Sequence, residues 1–263
     1  MTKLSIALAT FNEEENLART LESVRDIADE IVIYDGQSTD KTVEIAKSFG
    51  ARVIVGKNYP IFHVNKQKAI DVCTGDWILQ LDADEVVPSE LANEIREAIN
   101  QKPTANSQEP INGYWMPRRN FFLGRFLMKG GQYPDYTLRL YRKGKGRLPQ
   151  KDVHEQAEVE GAVGYLKNAL LHYPYKDFAT YVKKWGRYNN LISTQIEEEL
   201  KNKNTILKLG YGFGYLLVKP AHWLFTTYGR HKGFMDSWQG FTFSFFSALR
   251  FPVSYIKYLK RKT

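Results

Sequence analysis

The sequence predicts an α/β protein with a mostly parallel sheet, helices on both faces of that sheet, and a helical C-terminal region. Three observations lead to this prediction. Short apolar segments alternate with helix-like segments over the first hundred residues, which is the pattern of βαβ units. Hydrophobic residues make up 43% and charged residues 25% of the 263 residues, as in folded proteins. Basic and aromatic residues concentrate towards the C-terminus, which indicates a second part with a different role.

Four segments are predicted to be buried parallel strands. Each is short, apolar and rich in β-branched side chains, as is typical of strands that are covered on both faces. The segments are 4–9 (LSIALA), 30–35 (EIVIYD), 51–55 (ARVIV) and 77–81 (WILQL). Ligands of such sheets bind beyond the carboxyl ends of the strands.

Helix-like segments separate these strands. Asn12 is predicted to cap the first helix because three glutamates follow it, and negative charge stabilises a helix N-terminus. DKTVEIAKSFG is predicted to form a second helix that ends at Gly50, and a third leads up to Gly75. PSELANEIREAIN predicts a fourth helix with Pro88 near its start.

The second half of the chain begins with a polar linker at 101–112, which contains two prolines. Strands are then predicted in GYWMPRRNFFLG and YTLRLYRKG, with the glycine-rich turn KGGQYPD between them. From about residue 177 to 208 the pattern is helical, and the remainder is apolar, aromatic and basic.

Polar and acidic side chains follow three of the predicted strands. They are TFNEE (10–14) after the first strand, Asp35 after the second and DAD (82–84) after the fourth. Asp35 precedes the candidate helix caps at 38–40, so it could accept hydrogen bonds from a base or a ribose. No G-x-G-x-x-G or P-loop is present. Lys66 and Lys68 are therefore candidates to meet diphosphate charge, with surface solvation as the alternative.

Asp82 and Asp84 form an Asp-x-Asp pair directly after a buried strand. Residues i and i+2 of an extended chain point the same way, so both carboxylates can converge on one divalent cation. Oxygen ligands favour Mg²⁺ or Mn²⁺. The alternative is a solvated acidic turn. His154 and His172 are further possible metal ligands, although a lone histidine is more often a hydrogen-bonded structural residue.

These motifs, taken in order, resemble the family 2 glycosyltransferases, inverting enzymes with the GT-A (Rossmann-like) fold. The resemblance begins with IALATFNEEENL, VIYDGQSTDKT and NKQKAIDVCTGDWILQLDADE. It continues with GYWMPRRNFFLG, GGQYPDYTLRLYRKGKG, DVHEQ and KPAHWLFTTYGRHKGFMDSWQGF, which look like the lipopolysaccharide core glycosyltransferase branch. It covers nearly the whole chain. The implied domains are a catalytic domain at 1–176, with a nucleotide-sugar half at 1–100 and an acceptor half at 113–176, and a membrane-interface region at 177–263.

The resemblance also implies site residues. Those implied to hold the nucleotide-sugar, with a uridine diphosphate donor expected first, are Thr10, Asn12, Glu14, Asp35, Lys66, Asp82 and Ala83. Asp82 is placed near the ribose, and Asp84, with Asp82, is expected to bind the metal. This chain departs from the family at the residues implied to select the nucleobase of the donor. Typical members read D-D-G-S-T-D or D-S-G-S-T-D, whereas this chain has DGQSTD at 35–40.

An inverting transfer also needs a base on the acceptor side of the sugar. The two candidates are Glu155 in DVHEQ and Asp135 in QYPDY. Glu155 is preferred because its distance from the metal pair along the chain, about 70 positions, resembles that of the base in simpler family members. Alternatively, Glu155 pairs with Arg139 or Arg142, and Asp135 caps a turn.

The last 63 residues carry 11 lysines and arginines and a single acid, Asp236, whereas the first 200 carry 26 bases and 28 acids. No uninterrupted apolar run of roughly 18 to 20 residues is present, so a spanning helix is not expected. Aromatic residues mixed with basic ones suit the headgroup region of an anionic leaflet. A packed helical subdomain is the alternative. Nucleic-acid binding is disfavoured because no nucleic-acid module accompanies the region.

We therefore expect a metal-dependent glycosyltransferase that moves a hexose or heptose from a nucleotide diphosphate to a lipopolysaccharide core or other cell-envelope glycolipid. The single cysteine, Cys73, suits a reducing compartment, so we expect a cytoplasmic protein that is peripheral on the inner face of the cytoplasmic membrane. A polyprenyl-phosphate glycosyltransferase is the alternative enzyme. A non-catalytic nucleotide- or nucleic-acid-binding protein is the alternative of another class.

Overall fold

The computed structural model describes residues 1–101, 109–149 and 156–261. The strands are β1 (Leu4–Thr10), β2 (Glu30–Asp35), β3 (Arg52–Val55), β4 (Trp77–Leu81), β5 (Glu85–Val86), β6 (Ile111–Met116), β7 (Arg118–Phe122), β8 (Arg125–Leu127), β9 (Thr137–Arg142), β10 (Gly146–Arg147), β11 (Glu158–Val159), β12 (Ala162–Tyr165) and β13 (Leu170–His172). The α-helices are α1 (Leu17–Val24), α2 (Thr42–Ser48), α3 (Phe62–Asp71), α4 (Ser89–Asn100), α5 (Phe178–Leu200), α6 (Thr205–Phe213), α7 (Lys219–Leu224) and α8 (Ser237–Lys260). Two π-helical segments, Gly214–Val218 and Phe225–Arg230, flank α7, and a 3-10 turn, Gly233–Asp236, precedes α8.

The chain divides into two compact units. The first unit comprises Met1–Arg118 and Asp135–His172, and the second comprises Arg119–Pro134 and Tyr173–Thr263. The structure thus groups residues 119–134 with the helical C-terminal part, whereas the sequence predicted that they belong to the acceptor half. The functional boundary at residue 176 stays a prediction.

A seven-stranded sheet forms the centre of the first unit, in the order β12-β6-β9-β4-β1-β2-β3. Strand β1 pairs in parallel with both β2 and β4, and β2 pairs in parallel with β3. Strand β9 runs antiparallel to both of its neighbours, β4 and β6. The predicted mostly parallel sheet is confirmed, and the four predicted strands lie where the sequence placed them to within one residue.

Helices cover both faces of this sheet, as predicted. Side chains alternate between the faces along each strand. Ile6 of β1 therefore belongs to the core that contains Leu21 of α1 and Ile95 of α4, whereas its neighbour Ala7 belongs to the core that contains Ala69 of α3. Burial of these apolar side chains against two layers of helix makes the sheet a rigid support for the loops at its edges.

The predicted start of the first helix was wrong. Helix α1 begins at Leu17, after Asn16, and not at Asn12. Asn12 has a left-handed backbone conformation, with φ 55°, and its side-chain Oδ1 accepts a hydrogen bond from the backbone N–H of Thr39, 2.8 Å away. Asn12 therefore belongs to the loop that follows β1. Its side chain does not cap α1, because it binds the backbone of the next loop.

The second unit is built from the hairpin of β7 and β8 and from helices α5 to α8. Helices α5 and α8 pack against each other, and Phe122 of the hairpin contacts Tyr181 and Phe243 at ring-centroid distances of 4.9 and 5.8 Å. These edge-to-face contacts join the hairpin to the two long helices of the unit. Within the described residues, no helix combines the length and the apolar composition that crossing a bilayer requires.

Candidate active site

The carboxyl ends of β1, β2 and β4 lie side by side at one edge of the sheet. The parallel register pairs Thr10 with Asp35 between β1 and β2, and Leu8 with Leu81 between β1 and β4. The turns that follow the three strands therefore leave the sheet at the same edge. This is the edge at which open α/β sheets bind their ligands.

Hydrogen bonds join the turns after β1 and β2. Asn12 Oδ1 accepts from the Thr39 N–H, and Glu14 Oε2 accepts from the Lys41 N–H, 3.0 Å away. In return, the backbone N–H of Asn12 donates to Ser38 Oγ at 2.9 Å. Both predicted residues thus bind one loop to the other and set the shape of this edge.

Asp35 is fully buried and orders the turn that follows it. Its Oδ1 accepts from Thr10 Oγ1 at 3.0 Å and from Ser38 Oγ at 2.6 Å, and its Oδ2 accepts from the Ser38 N–H at 2.8 Å. Thr10, which is also buried, uses its hydroxyl in this contact. Gln37 occupies the place of the motif glycine and keeps a left-handed φ of 65°, a conformation that favours glycine.

The chain turns sharply directly after β4. The Glu85 N–H donates to the Asp82 carbonyl oxygen at 3.0 Å, which closes a four-residue turn over 82–85. The assumption that residues 82–84 are extended was therefore wrong, because a turn directs successive side chains to different neighbours. Asp82 pairs with Lys66 and with Arg139, whose Nη2 lies 2.7 Å from Asp82 Oδ2. Asp84 lies beside His172, with 3.6 Å between its Oδ2 and Nε2 of the histidine.

Asp82 belongs to a row of alternating charges, which we call the charge network. Its members, in order of contact, are Lys66, Asp82, Arg139, Glu85, Arg118 and Asp135. The central distances are 2.9 Å between Arg139 Nη2 and Glu85 Oε1, and 3.2 Å between Glu85 Oε1 and Arg118 Nη1. At the far end, Arg118 donates to Asp135 Oδ2 from Nη2 at 2.7 Å and from Nε at 3.0 Å. Three positive and three negative side chains balance one another.

Sheet register explains how these residues meet. Leu79 of β4 pairs with Leu140 of β9, so Arg139 lies across from Gln80, whose Oε1 accepts from Arg139 Nη1. The same guanidinium then reaches the carboxylates beyond the end of β4. Lys66 arrives from α3, which packs against β1 and β2. Residues that are 54 to 59 positions apart in the chain thus share one set of contacts.

Burial makes the balance of charge necessary. Glu85 is fully buried and Arg139 is nearly so. Burial by itself raises the pKa of the Asp82 carboxyl, but the positive charges of Arg139 and Lys66 outweigh it and hold this pKa well below its usual range. Burial lowers the pKa of Arg139, and the charges of Asp82 and Glu85 more than reverse that effect, so the guanidinium stays protonated. Asp82 and Arg139 therefore face each other as an ionised pair throughout the physiological pH range.

His172 reaches Asp84 through an antiparallel strand pair. Strand β13 pairs with β5, and the register places His172 opposite Glu85, next to Asp84 along the chain. One carboxylate and one imidazole fit Mn²⁺ or Mg²⁺, which complete their coordination shells with water and phosphate oxygens. Within the described residues, no cluster of three or more histidine, cysteine, aspartate or glutamate side chains forms a fuller set of ligands.

The remaining predicted site residues lie as follows. Ala83 is buried, and its carbonyl oxygen accepts from Thr20 Oγ1 at 2.6 Å. The Asp135 side chain is 36% exposed beside Arg118. Glu155, the preferred base, and His154 lie outside the described residues.

Glu85, Arg118 and Arg139 were not predicted from the sequence as members of this site. A signal was present for two of them. Glu85 directly follows the Asp-x-Asp pair, and Arg139 is a charged residue inside the otherwise apolar strand TLRLY. A lone arginine in a central strand requires buried carboxylates nearby, since an unpaired buried charge is costly.

Residues 5–170 match the sequence model of a family described as glycosyl transferase family 2. Lipopolysaccharide core biosynthesis glycosyltransferase LpsC of Rhizobium meliloti is 29% identical over 266 residues, which cover 94% of this chain and 91% of LpsC. An uncharacterized glycosyltransferase of Rickettsia typhi is 45% identical over 95 residues, which are 36% of this chain and 32% of that protein. The chain thus spans about a third of the length of the Rickettsia relatives that it matches.

A solved structure has a similar fold. The crystal structure of S. aureus TarS 1-349, in complex with UDP-GlcNAc, superposes with a TM-score of 0.50 over 74% of this chain and 66% of that one, at 15% identity. At this identity the likeness concerns the fold alone. It agrees with the GT-A architecture that the sequence motifs predict.

Proposed function

Because this chain belongs to glycosyl transferase family 2, we propose that it transfers a sugar, with inversion, from a nucleotide diphosphate to a cell-envelope glycolipid. The observation that supports this proposal best is the arrangement at the carboxyl end of β4. There Asp82 is paired with two cations, Lys66 and Arg139. Within the described residues, the one ion-pair partner of Asp84 is His172. Asp84 is therefore the carboxylate of the pair whose charge is available to a metal.

We assign Mg²⁺ or Mn²⁺ to Asp84 and His172, with Asp82 acting from within the charge network. When bound, the ion would neutralise charge that develops on the departing diphosphate. The role of Asp82 is then to position the turn. Its ion pairs with Lys66 and Arg139 and its carbonyl bond with the Glu85 N–H hold residue 84 at the strand end. Asp35, Thr10, Asn12 and Glu14 shape the neighbouring turns for the nucleotide.

The acceptor hydroxyl must lose a proton as its oxygen attacks the anomeric carbon and the bond to the diphosphate breaks. We propose that the Glu155 carboxylate accepts this proton, because the position of Glu155 in the chain resembles that of the base in simpler family members. Asp135 is less suited, because Arg118 already donates two hydrogen bonds to its Oδ2. In this assignment Asp135 serves to orient Arg118 beside the buried Glu85.

The exchange of Glu155 for glutamine tests this assignment. We expect transfer to fall by about 10²- to 10⁴-fold, the usual contribution of a general base, with donor binding unchanged. Glu158→Gln, at an exposed glutamate nearby in the chain, is the matched control and should keep the wild-type rate. Full turnover of Glu155→Gln, together with loss of turnover in Asp135→Asn, would move the role to Asp135.

The proposed reaction as a whole is tested with sugar nucleotides. UDP-, GDP- and ADP-sugars are incubated with the full chain and Mn²⁺, and nucleoside diphosphate release is measured. We expect slow hydrolysis of one class, UDP-sugars first, that chelation of the metal abolishes. Absence of hydrolysis with every donor would favour the non-catalytic nucleotide-binding protein. Labelled sugar appearing on polyprenyl phosphate, and not on lipopolysaccharide core, would favour the alternative enzyme.

A glycolipid acceptor implies work at a membrane surface. We propose that the protein is peripheral on the cytoplasmic face of the inner membrane, where anionic lipid headgroups meet its basic end. The support is the charge distribution, with 11 lysines and arginines and one acid in residues 201–263.

A further inference from the structure

The segment 205–230 of the second unit exposes a continuous apolar face. The large side chains of Ile206, Leu209, Phe213, Leu217, Val218 and Phe225 are 52–80% exposed, and Leu207 is 55% exposed. The spacing of the first four, by three, four and four residues, places them on one side of a helix. Such a face is normally turned towards a core, so its exposure indicates a surface that something apolar covers.

Packing on the opposite side fixes this orientation. Gly212 and Tyr215 are buried, and a Cβ at Gly212 would come within 2.5 Å of the Tyr255 hydroxyl on α8. Tyr215 also contacts the Tyr255 and Phe251 rings at 6.2 and 5.8 Å. The segment cannot turn its apolar face inward without losing these contacts.

Two cations lie on aromatic rings beside this face. Lys219 Nζ is 3.7 Å from the Tyr215 ring centroid, and the Arg250 guanidinium carbon is 4.6 Å from that of Trp223. Both cations also approach the Phe251 ring, at 5.9 and 4.9 Å. They therefore share one aromatic support, although one comes from α7 and the other from α8.

In the part of the chain that the structure describes, no carboxylate pairs with these two cations. Among the residues that the structure describes, neither Lys219 nor Arg250 has an acid within ion-pair distance, 4.0 Å. Asp236, the one acid of residues 201–263, is buried, accepts from the Lys129 N–H at 2.7 Å and lies 3.6 Å from Arg125 Nη2. Burial lowers the pKa of Arg250, because the guanidinium loses contact with water and no nearby carboxylate compensates for that loss.

We propose that segment 205–230 lies in the headgroup layer of an anionic bilayer, with its apolar side chains among the acyl chains and a lipid phosphate bound between Lys219 and Arg250. Guanidinium and ammonium groups beside an apolar face suit a phosphate at that depth. Nucleic acid fits less well, because the exposed face is mainly aliphatic and the cations cover rings on which bases would stack. The inference rests on the proposed function only in that a glycolipid acceptor brings the enzyme to a membrane.

Liposome sedimentation of the full chain tests the phosphate site. The double variant Lys219→Met/Arg250→Met is compared with Lys201→Met/Lys203→Met, which removes the same charge from exposed positions of the same unit. On vesicles of phosphatidylcholine and phosphatidylglycerol, the control should lose up to about fivefold in affinity for each charge. The Lys219/Arg250 variant should lose at least about tenfold more. Equal losses would show diffuse attraction only and would overturn the proposal.

Further measurements separate the other outcomes. Lys219→Arg/Arg250→Lys, which keeps both charges, should retain most of the binding; if it binds as poorly as the methionine pair, the proposal fails. If the methionine pair does not fold, Lys219→Met alone, at an exposed position, decides in the same way. Stronger binding to an oligonucleotide than to vesicles, lost in the same variant, would also overturn it.

Failure of the proposed function gives a different result. Metal-dependent donor hydrolysis without vesicles should be the same for the wild type and the methionine pair. A wild type that binds vesicles through Lys219 and Arg250 but hydrolyses no donor would refute the transferase and leave the lipid site standing.

Discussion

Replacement of Asp84 by alanine is expected to lower sugar transfer by about a thousandfold. In this change the proposed metal loses the one carboxylate that we assign to it. A bound metal stabilises the charge of a transition state by several kcal/mol. A loss of about 4 kcal/mol corresponds to a thousandfold decrease in rate. Asp82 cannot substitute, because Lys66 and Arg139 bind its two oxygens. Transfer is measured with saturating donor over a range of Mn²⁺ concentrations.

Calorimetry provides the second measurement for this variant. The heat of Mn²⁺ binding in the presence of a sugar nucleotide should disappear in Asp84→Ala and weaken in His172→Ala. Asp26→Ala removes an exposed aspartate elsewhere and serves as the control. Wild-type turnover and wild-type Mn²⁺ heat in Asp84→Ala would contradict the assignment of the metal.

Replacement of Glu85 by glutamine is expected to destabilise the first unit by about 3 kcal/mol. The change leaves Arg118 and Arg139 with a neutral side chain between them, and the loss of one partner of a buried ion pair costs about 3–5 kcal/mol. The lower end is expected because each arginine keeps a second carboxylate, Asp135 or Asp82. Denaturant unfolding, followed by far-UV circular dichroism, measures the effect.

Glu158→Gln is the matched control for this experiment. Glu158 accepts from Arg147 at 2.8 Å, but the two side chains are 56% and 76% exposed. Such surface pairs contribute about 0–1 kcal/mol. Equal shifts of the unfolding midpoint in the two variants would mean that the charge network does not support the fold.

Glu85→Gln also connects stability with the site. Glu85 holds Arg139, which in turn holds Asp82 at the start of the turn that carries Asp84. We expect these contacts to limit the conformations that the turn can adopt before a donor binds. Positioning of this kind lowers the cost of ordering the site when a donor binds.

The sequence by itself determined the family and, apart from the two-residue strand β5, the order of strands and helices in the first hundred residues. It also predicted the edge of the sheet at which we propose the site. These properties depend on local patterns: β-branched apolar runs, helix-terminating glycines, and the polar residues that follow each strand. The predicted GT-A fold is confirmed by the match to the family and by the similar fold of a solved structure. It could be predicted because the motifs keep their order along the chain.

Only the tertiary structure decided which side chains meet at that edge. Arg139 reaches Asp82 because β9 enters the sheet antiparallel beside β4, and His172 reaches Asp84 because β13 pairs with β5. The same applies to Asn12, which serves a loop 27 residues away and not its own helix. Strand order and register are set by the burial of the apolar faces of the sheet and by the pairing of buried charges. Both depend on residues that are far apart in the chain, so no short segment of the sequence determines them.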